Sequence, residues 1–273
     1  MSQRILSVML LENEARALLA RLAMIKPFAL QTPMVAAANA PAALSAIEAY
    51  LLNGRRALRT AVRDYIRWLR ANATNHFNPA DAQRRFAFLR MKFNAGLTQF
   101  DIFADALVQR SEHENGVWLG GLDALAADAL ALSGRYYEAP PVLCYLDRGV
   151  GAAIRRSRTR LPGGGDNPVA VIRVPRERMV GSGIASSLVH EVGHQAAALL
   201  DLVASMQSGL RALQKGTGPD RLAWRLFERW ISEIIADFWS VARIGIGSTL
   251  GLIGVVSLPR PFVFRLSLDD PHP

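Results

Sequence analysis

Apolar residues recur every three or four positions through the first half of the chain, the period of helices with one buried side. In "APAALSAIEAYLLNGRRALRTAVRDYIRWLRANA" the apolar positions include Leu51, Leu58, Val62, Tyr65, Ile66 and Leu69, which share a side when wound at about 3.6 residues per turn. The opening residues "MSQRILSVMLLENEARALLA" hold a short apolar run that "ENEAR" interrupts, predicting an amphipathic helix and not a signal peptide. After the turn "NHFNPAD", where Asn78 or Asp81 can cap, a further helix carries Phe86, Leu89 and Phe93. "LTQFDIFADALVQRSEHENGVWLGGLDALAADALAL" continues in the same style until the turn residues of "SGRYYEAPP". The main boundary is therefore expected near residue 135, with a helical region over 1–135 and a second region over 136–273.

Beyond that boundary the pattern changes. "PVLCYLDRG" and "NPVAVIRVP" are short runs rich in β-branched residues, and they read as two strands that pair. Two long helical patterns follow, over about 186–213 and 221–241, joined by "QKGTGPD" with Asp220 as the expected N-cap. The apolar stretch "IGIGSTLGLIGVVSL" at 244–258 is too short for a membrane span and is expected to be buried, with membrane contact not favoured. Its glycines follow a helix and not a strand, which argues against a dinucleotide loop. The predicted fold class is α+β, predominantly helical.

Composition refines this picture at a few points. The hydrophobic share of 51% over 273 residues suits a globular chain and excludes a disordered one. The net charge of +9 is carried mostly by arginine, and Arg56, Arg59, Arg63, Arg67 and Arg70 fall along one side of their helix, the pattern of a solvated face. "RRSRTR" and "RVPRER" interleave few aromatics, so a nucleic-acid partner is not expected. The single cysteine, Cys144, excludes an intrachain disulfide framework and reads as a small buried hydrophobe. With no signal or convincing membrane segment, the cytoplasm is the default expectation; oligomeric state is not legible.

The chemistry lies in "SSLVHEVGHQAAALL". His190 and His194 are four apart, so on a helix both imidazoles leave one face a turn apart, as two ligands of one tetrahedral ion require. Glu191 sits beside the first histidine, within reach of a water on that ion without binding the ion itself. A third ligand is needed. Ala197 and Leu200 occupy the positions where a longer histidine pattern would place glycine and histidine, so an acidic residue downstream is expected. In "RWISEIIADFWS", Glu233 and Asp237 share a face of an otherwise apolar helix, where two carboxylates repel unless a cation lies beside them. Glu233 is the expected third ligand, and Asp237 the acceptor of a ligating histidine's N–H. Asp220, Asp201 and Glu228 are the weaker alternatives for the ligand.

"HEVGH" on one helix with "EIIAD" on a later one resembles the gluzincin class of zinc metallopeptidases over residues 168–240. The resemblance implies a helical active-site core beside a small sheet, one Zn²⁺ per chain held by two histidines and a glutamate, and a peptide or protein substrate. It implies that Glu191 takes a proton from water and returns it to the leaving amine, while a tyrosine or histidine steadies the oxyanion. His272, Tyr145 and Tyr136 are the candidates for that donor. It also implies an edge strand that pairs with the substrate backbone, for which Val169, Ala170, Val171, Ile172 and Arg173 in "NPVAVIRVP" are expected. Two rival classes fit less well. A non-catalytic zinc scaffold has no need of Glu191, and a basic helical binding protein leaves the histidine and carboxylate pairs to coincidence.

Overall fold

The computed structural model describes residues 3–25, 29–73, 78–134, 136–148, 152–161, 164–176, 182–216 and 220–257. The described chain is mostly helical with one small sheet. Its helices are α1 (Gln3–Met24), α2 (Pro41–Ala71), α3 (Pro79–Val108), α4 (His113–Leu130), α5 (Ser182–Leu199), α6 (Leu202–Leu213), α7 (Arg221–Ile244) and α8 (Ile246–Val256). The strands are β1 (Val142–Asp147), β2 (Ala153–Arg155) and β3 (Ala170–Pro175). The chain divides into two compact units. The first comprises Met1–Pro33, Pro41–Val108 and Thr159–Pro168; the second comprises Met34–Ala40, Gln109–Arg158 and Val169–Pro273. The boundary expected near 135 thus falls inside the second unit, because α4 shares a core with the sheet.

In the first unit α1, α2 and α3 bury one stripe each. Leu18 and Leu22, Val62 and Leu69, and Phe86 and Phe93 meet in a common core, and the Tyr65 hydroxyl donates to the Ala82 carbonyl at 3.1 Å. Of the two caps expected for α3, Asn78 is the one that acts. Its side-chain oxygen accepts from the Ala80 N–H at 3.0 Å, with Pro79 at the first helical position where a missing N–H costs nothing. Asp81 instead pairs with Arg85. The arginine stripe of α2 behaves as a solvated face, Arg67 pairing with Asp64 and Arg70 with Glu12.

In the second unit the sheet has the order β1-β3-β2, with β1 parallel and β2 antiparallel to β3. One face of it, formed by alternate residues such as Cys144, Leu146, Ile172 and Val174, packs into a core with Leu188 and Val192 of α5 and Ala126 of α4. Cys144 is buried there, as expected. A buried ionic knot ties the unit together. The Arg110 guanidinium reaches Asp123 at 2.8 Å and donates to the carbonyls of Ala38 and Cys144, while Asp123 accepts the Cys144 N–H.

Four sequence expectations change. The strand carrying Val169, Ala170, Val171, Ile172 and Arg173 is central and not an edge: β1 and β2 flank it on both sides, so its backbone groups are already paired. The missed strand, β2, is only three residues long and ends at Arg155 with Arg156 directly after it, too short for alternation to show. The helix expected over 186–213 breaks after Leu199, where Asp201 takes a left-handed conformation (φ 52°) that aspartate tolerates better than most residues. The stretch at 244–258 is not wholly buried: it forms α8, which presents Ile246, Leu250 and Ile253 to solvent.

Candidate metal centre

α5 and α7 bring the chemistry together by packing unusually close. Gly193 lies between the two histidines, and a Cβ there would sit 2.8 Å from the Ala236 Cα and 2.9 Å from its carbonyl oxygen. Only a hydrogen fits. This close approach sets the histidine face of α5 against the carboxylate face of α7.

His190, His194 and Glu233 each offer a ligand atom, all within 4.8 Å of one another. The Nε2 atoms of His190 and His194 stand 3.2 and 3.4 Å from Glu233 Oε2, and the two rings meet edge to face. Two ligands of a tetrahedral zinc ion with bonds of about 2.0–2.1 Å lie about 3.3 Å apart, so the donor set fits that ion. The other ring nitrogens face away from this point. His190 Nδ1–H donates to Asp237 at 2.7 Å, and His194 Nδ1 lies 3.2 Å from Ser232 Oγ. With Nδ1 so engaged, Nε2 is the nitrogen of each ring left to face the common centre. The three ligand side chains keep 14–20% of their surface exposed, so the centre is sheltered but open to small solutes.

The electrostatics of the metal-free site show how strongly these groups interact. Burial pulls the His190 pKa down, yet hydrogen bonds to Asp237 and Glu233 and the charges of Asp237 and Glu191 outweigh it, raising it to about 9. His190 and His194 hold the Glu233 carboxyl well below the usual carboxylate range. Glu191 moves the other way. Burial raises its pKa, opposed by the two histidines and by a hydrogen bond from the Ile154 backbone N–H. Glu191 therefore lies beside the edge strand β2, outside the ligand group and next to it in the chain.

The remaining candidates lie elsewhere. Glu228 is held by Arg211 and Gln214. Asp201 marks the α5–α6 break, and Asp220 occupies the N-cap position of α7 without a side-chain capping bond. None of these three belongs to the ligand group. Tyr145 alternates along β1 with the core residues Cys144 and Leu146, so its ring lies on the sheet face turned away from α5, which removes it as oxyanion donor. Tyr136 is an exposed loop residue, and His272 lies outside the described residues. Sequence reasoning missed Ser232 and the role of Gly193. Serine on a helix carries no mark of a metal shell, but a glycine inside an apolar helix does signal a close approach.

Compared with known protein families, curated proteins and solved structures, the chain finds no match. The case for function therefore rests on the centre itself.

Proposed function

We propose that the chain is a zinc-dependent metallopeptidase of gluzincin type, with α5, α7 and the small sheet as its zincin-like core. One observation carries the reading. Two imidazole Nε2 atoms and one carboxylate oxygen converge, both imidazoles are held from behind, and an unligated glutamate stands alongside. A purely structural site has no use for that glutamate, and it closes its fourth position with protein. Only three ligand residues gather among the described residues.

A bound Zn²⁺ supplies Lewis acidity toward a carbonyl and lowers the pKa of water at its open position. His190, His194 and Glu233 are the residues that hold it. Glu191, its carboxyl already raised by burial, accepts the proton from the attacking water and returns it to the leaving amine. Asp237 and Ser232 keep the imidazoles in the tautomer and orientation that binding demands. The substrate-pairing strand in this reading is β2 and not β3. Ala153–Arg155 form an edge of the three-stranded sheet, and Ile154 is already at Glu191.

Elemental analysis of wild type, His190→Ala and Glu233→Ala tests the metal. We expect about one zinc per chain in wild type and loss in both variants. Peptide-library cleavage by wild type against Glu191→Gln then tests the activity. Absence of zinc, with no uptake when it is added, would overturn the reading.

A further inference from the structure

A glutamine buried in an apolar helix is costly unless its amide is used. Gln195 is 1% exposed, in a stretch of α5 that also buries Val192, Ala196 and Ala197. Its side-chain carbonyl accepts the Ser157 backbone N–H at 2.8 Å, a buried bond between residues 38 positions apart.

That bond falls where the sheet gives its edge strand no support. The last β2–β3 pair is Arg155 with Val171, so Ser157, two residues further on, lies outside the ladder. Ser157 is buried, and its own hydroxyl has no hydrogen-bond partner among the described residues, so its main chain is what is held. Arg158 follows with a left-handed backbone, φ 60°, which a long side chain adopts only at a cost. Such a turn persists where its surroundings fix it, and Gln195 fixes the residue before it. Position on α5 gives the contact its meaning. Gln195 directly follows His194 and lies one turn after Glu191, on the same face of the helix as that glutamate. One stretch of α5 therefore faces the centre with its histidines and, with the next residue round, holds the segment that leaves β2. With only three residues, β2 has little ladder of its own to keep it in place.

We propose that Gln195 is a positioning residue: by holding the Ser157 N–H it fixes the edge strand β2 to the helix that carries His190 and His194, so that a substrate backbone paired with β2 lies at a set height over the centre. The substrate half of this inference rests on the metallopeptidase reading; the anchoring half rests on the hydrogen bond alone.

Two variants test it. Gln195→Met keeps the length of the side chain and removes the acceptor, whereas Gln195→Glu keeps an acceptor oxygen in the same place. Amide hydrogen exchange over residues 152–158 of the metal-free protein, followed by mass spectrometry, reads the anchor without any activity. We expect exchange there to quicken about tenfold in Gln195→Met, as loss of one buried hydrogen bond implies, with α5 and the melting temperature close to wild type. Gln195→Glu should return it toward wild type. In the zinc-loaded protein, KM for a peptide long enough to pair with β2 should rise about tenfold in Gln195→Met while kcat and zinc content hold, the signature of lost substrate binding. Unchanged exchange in Gln195→Met, or faster exchange that Gln195→Glu does not restore, would overturn the anchor. Faster exchange with KM unchanged would overturn the positioning role and leave a core hydrogen bond only. Absence of zinc or of cleavage in wild type would sink the metallopeptidase reading and the substrate half with it, while the exchange result would still decide the anchor.

Discussion

Each group around the centre has a separable job, and substitutions should separate them. Glu191→Gln removes the base and leaves all three ligands in place. Peptide hydrolysis is expected to fall by about 10²–10⁴-fold with zinc content unchanged, read by kcat/KM beside elemental analysis. Ser232→Ala and Asp237→Ala leave the ligands but free the imidazoles behind them. Each should weaken zinc by about 10–100-fold, measured by competition with a chromophoric chelator. His190, Glu191, His194, Glu233 and Asp237 were legible in the sequence because ionisable residues at helical spacing in apolar helices are costly unless they converge on something. Ser232 was not, because a serine is tolerated almost anywhere on a helix. Tyr145 misled for a related reason: which way a strand residue points depends on which face of the sheet is covered, and that is decided by α4 and α5 far away in sequence.

At the scale of elements the geometry depends on how closely α5 and α7 approach. Gly193→Ala puts a methyl group against the Ala236 backbone, which has no flexible end to move. We expect a loss of about 1–3 kcal/mol by chemical denaturation, with weaker zinc binding than wild type, since Glu233 moves away with its helix. The helices themselves were readable from period alone, α2 and α7 most clearly, because each buries a single stripe. Three elements were not. β2 is three residues long and owes its existence to pairing with β3, a contact no local pattern encodes. The break at Asp201 follows from how α6 packs on α7, where Leu202 and Leu210 meet Ile231 and Ile235. The side of α8 left bare was hidden because a uniformly apolar sequence has no polar face to mark the outside.

For the molecule as a whole, stability should follow both metal and pH. Zinc at 100-fold over its dissociation constant is expected to stabilise the fold by about 2.7 kcal/mol, so excess chelator should lower the melting temperature. In the metal-free protein His190 stands at about 9 against an ordinary 6.5, so its stabilising contribution is complete below pH 6.5 and is lost as pH rises through about 9. Glu233 is depressed below its ordinary 4.5, so its contribution is present above that pH and is lost on acidification. With chelator present, the melting temperature should be lower at pH 10 than at pH 6.5, and His190→Ala should reduce that difference. The second unit depends as well on its buried ion pair. Asp123→Ala strands Arg110, which is fully buried, and should cost about 3–5 kcal/mol, visible as a lower denaturant midpoint with unchanged slope.

The first unit includes Thr159–Pro168, which follows a long excursion of the chain through β1 and β2 of the second. There the Tyr50 hydroxyl donates to the Gly164 carbonyl, and Tyr50 also closes over Gly165. During synthesis the three N-terminal helices therefore leave the ribosome well before their last piece does, and by then part of the other unit has already emerged. Neither unit can be excised as one unbroken stretch of gene. A cut at residue 108 or 135 would leave the helices without their closing loop and the sheet without its opening segment, so the two halves of this protein are committed to being made, and lost, together.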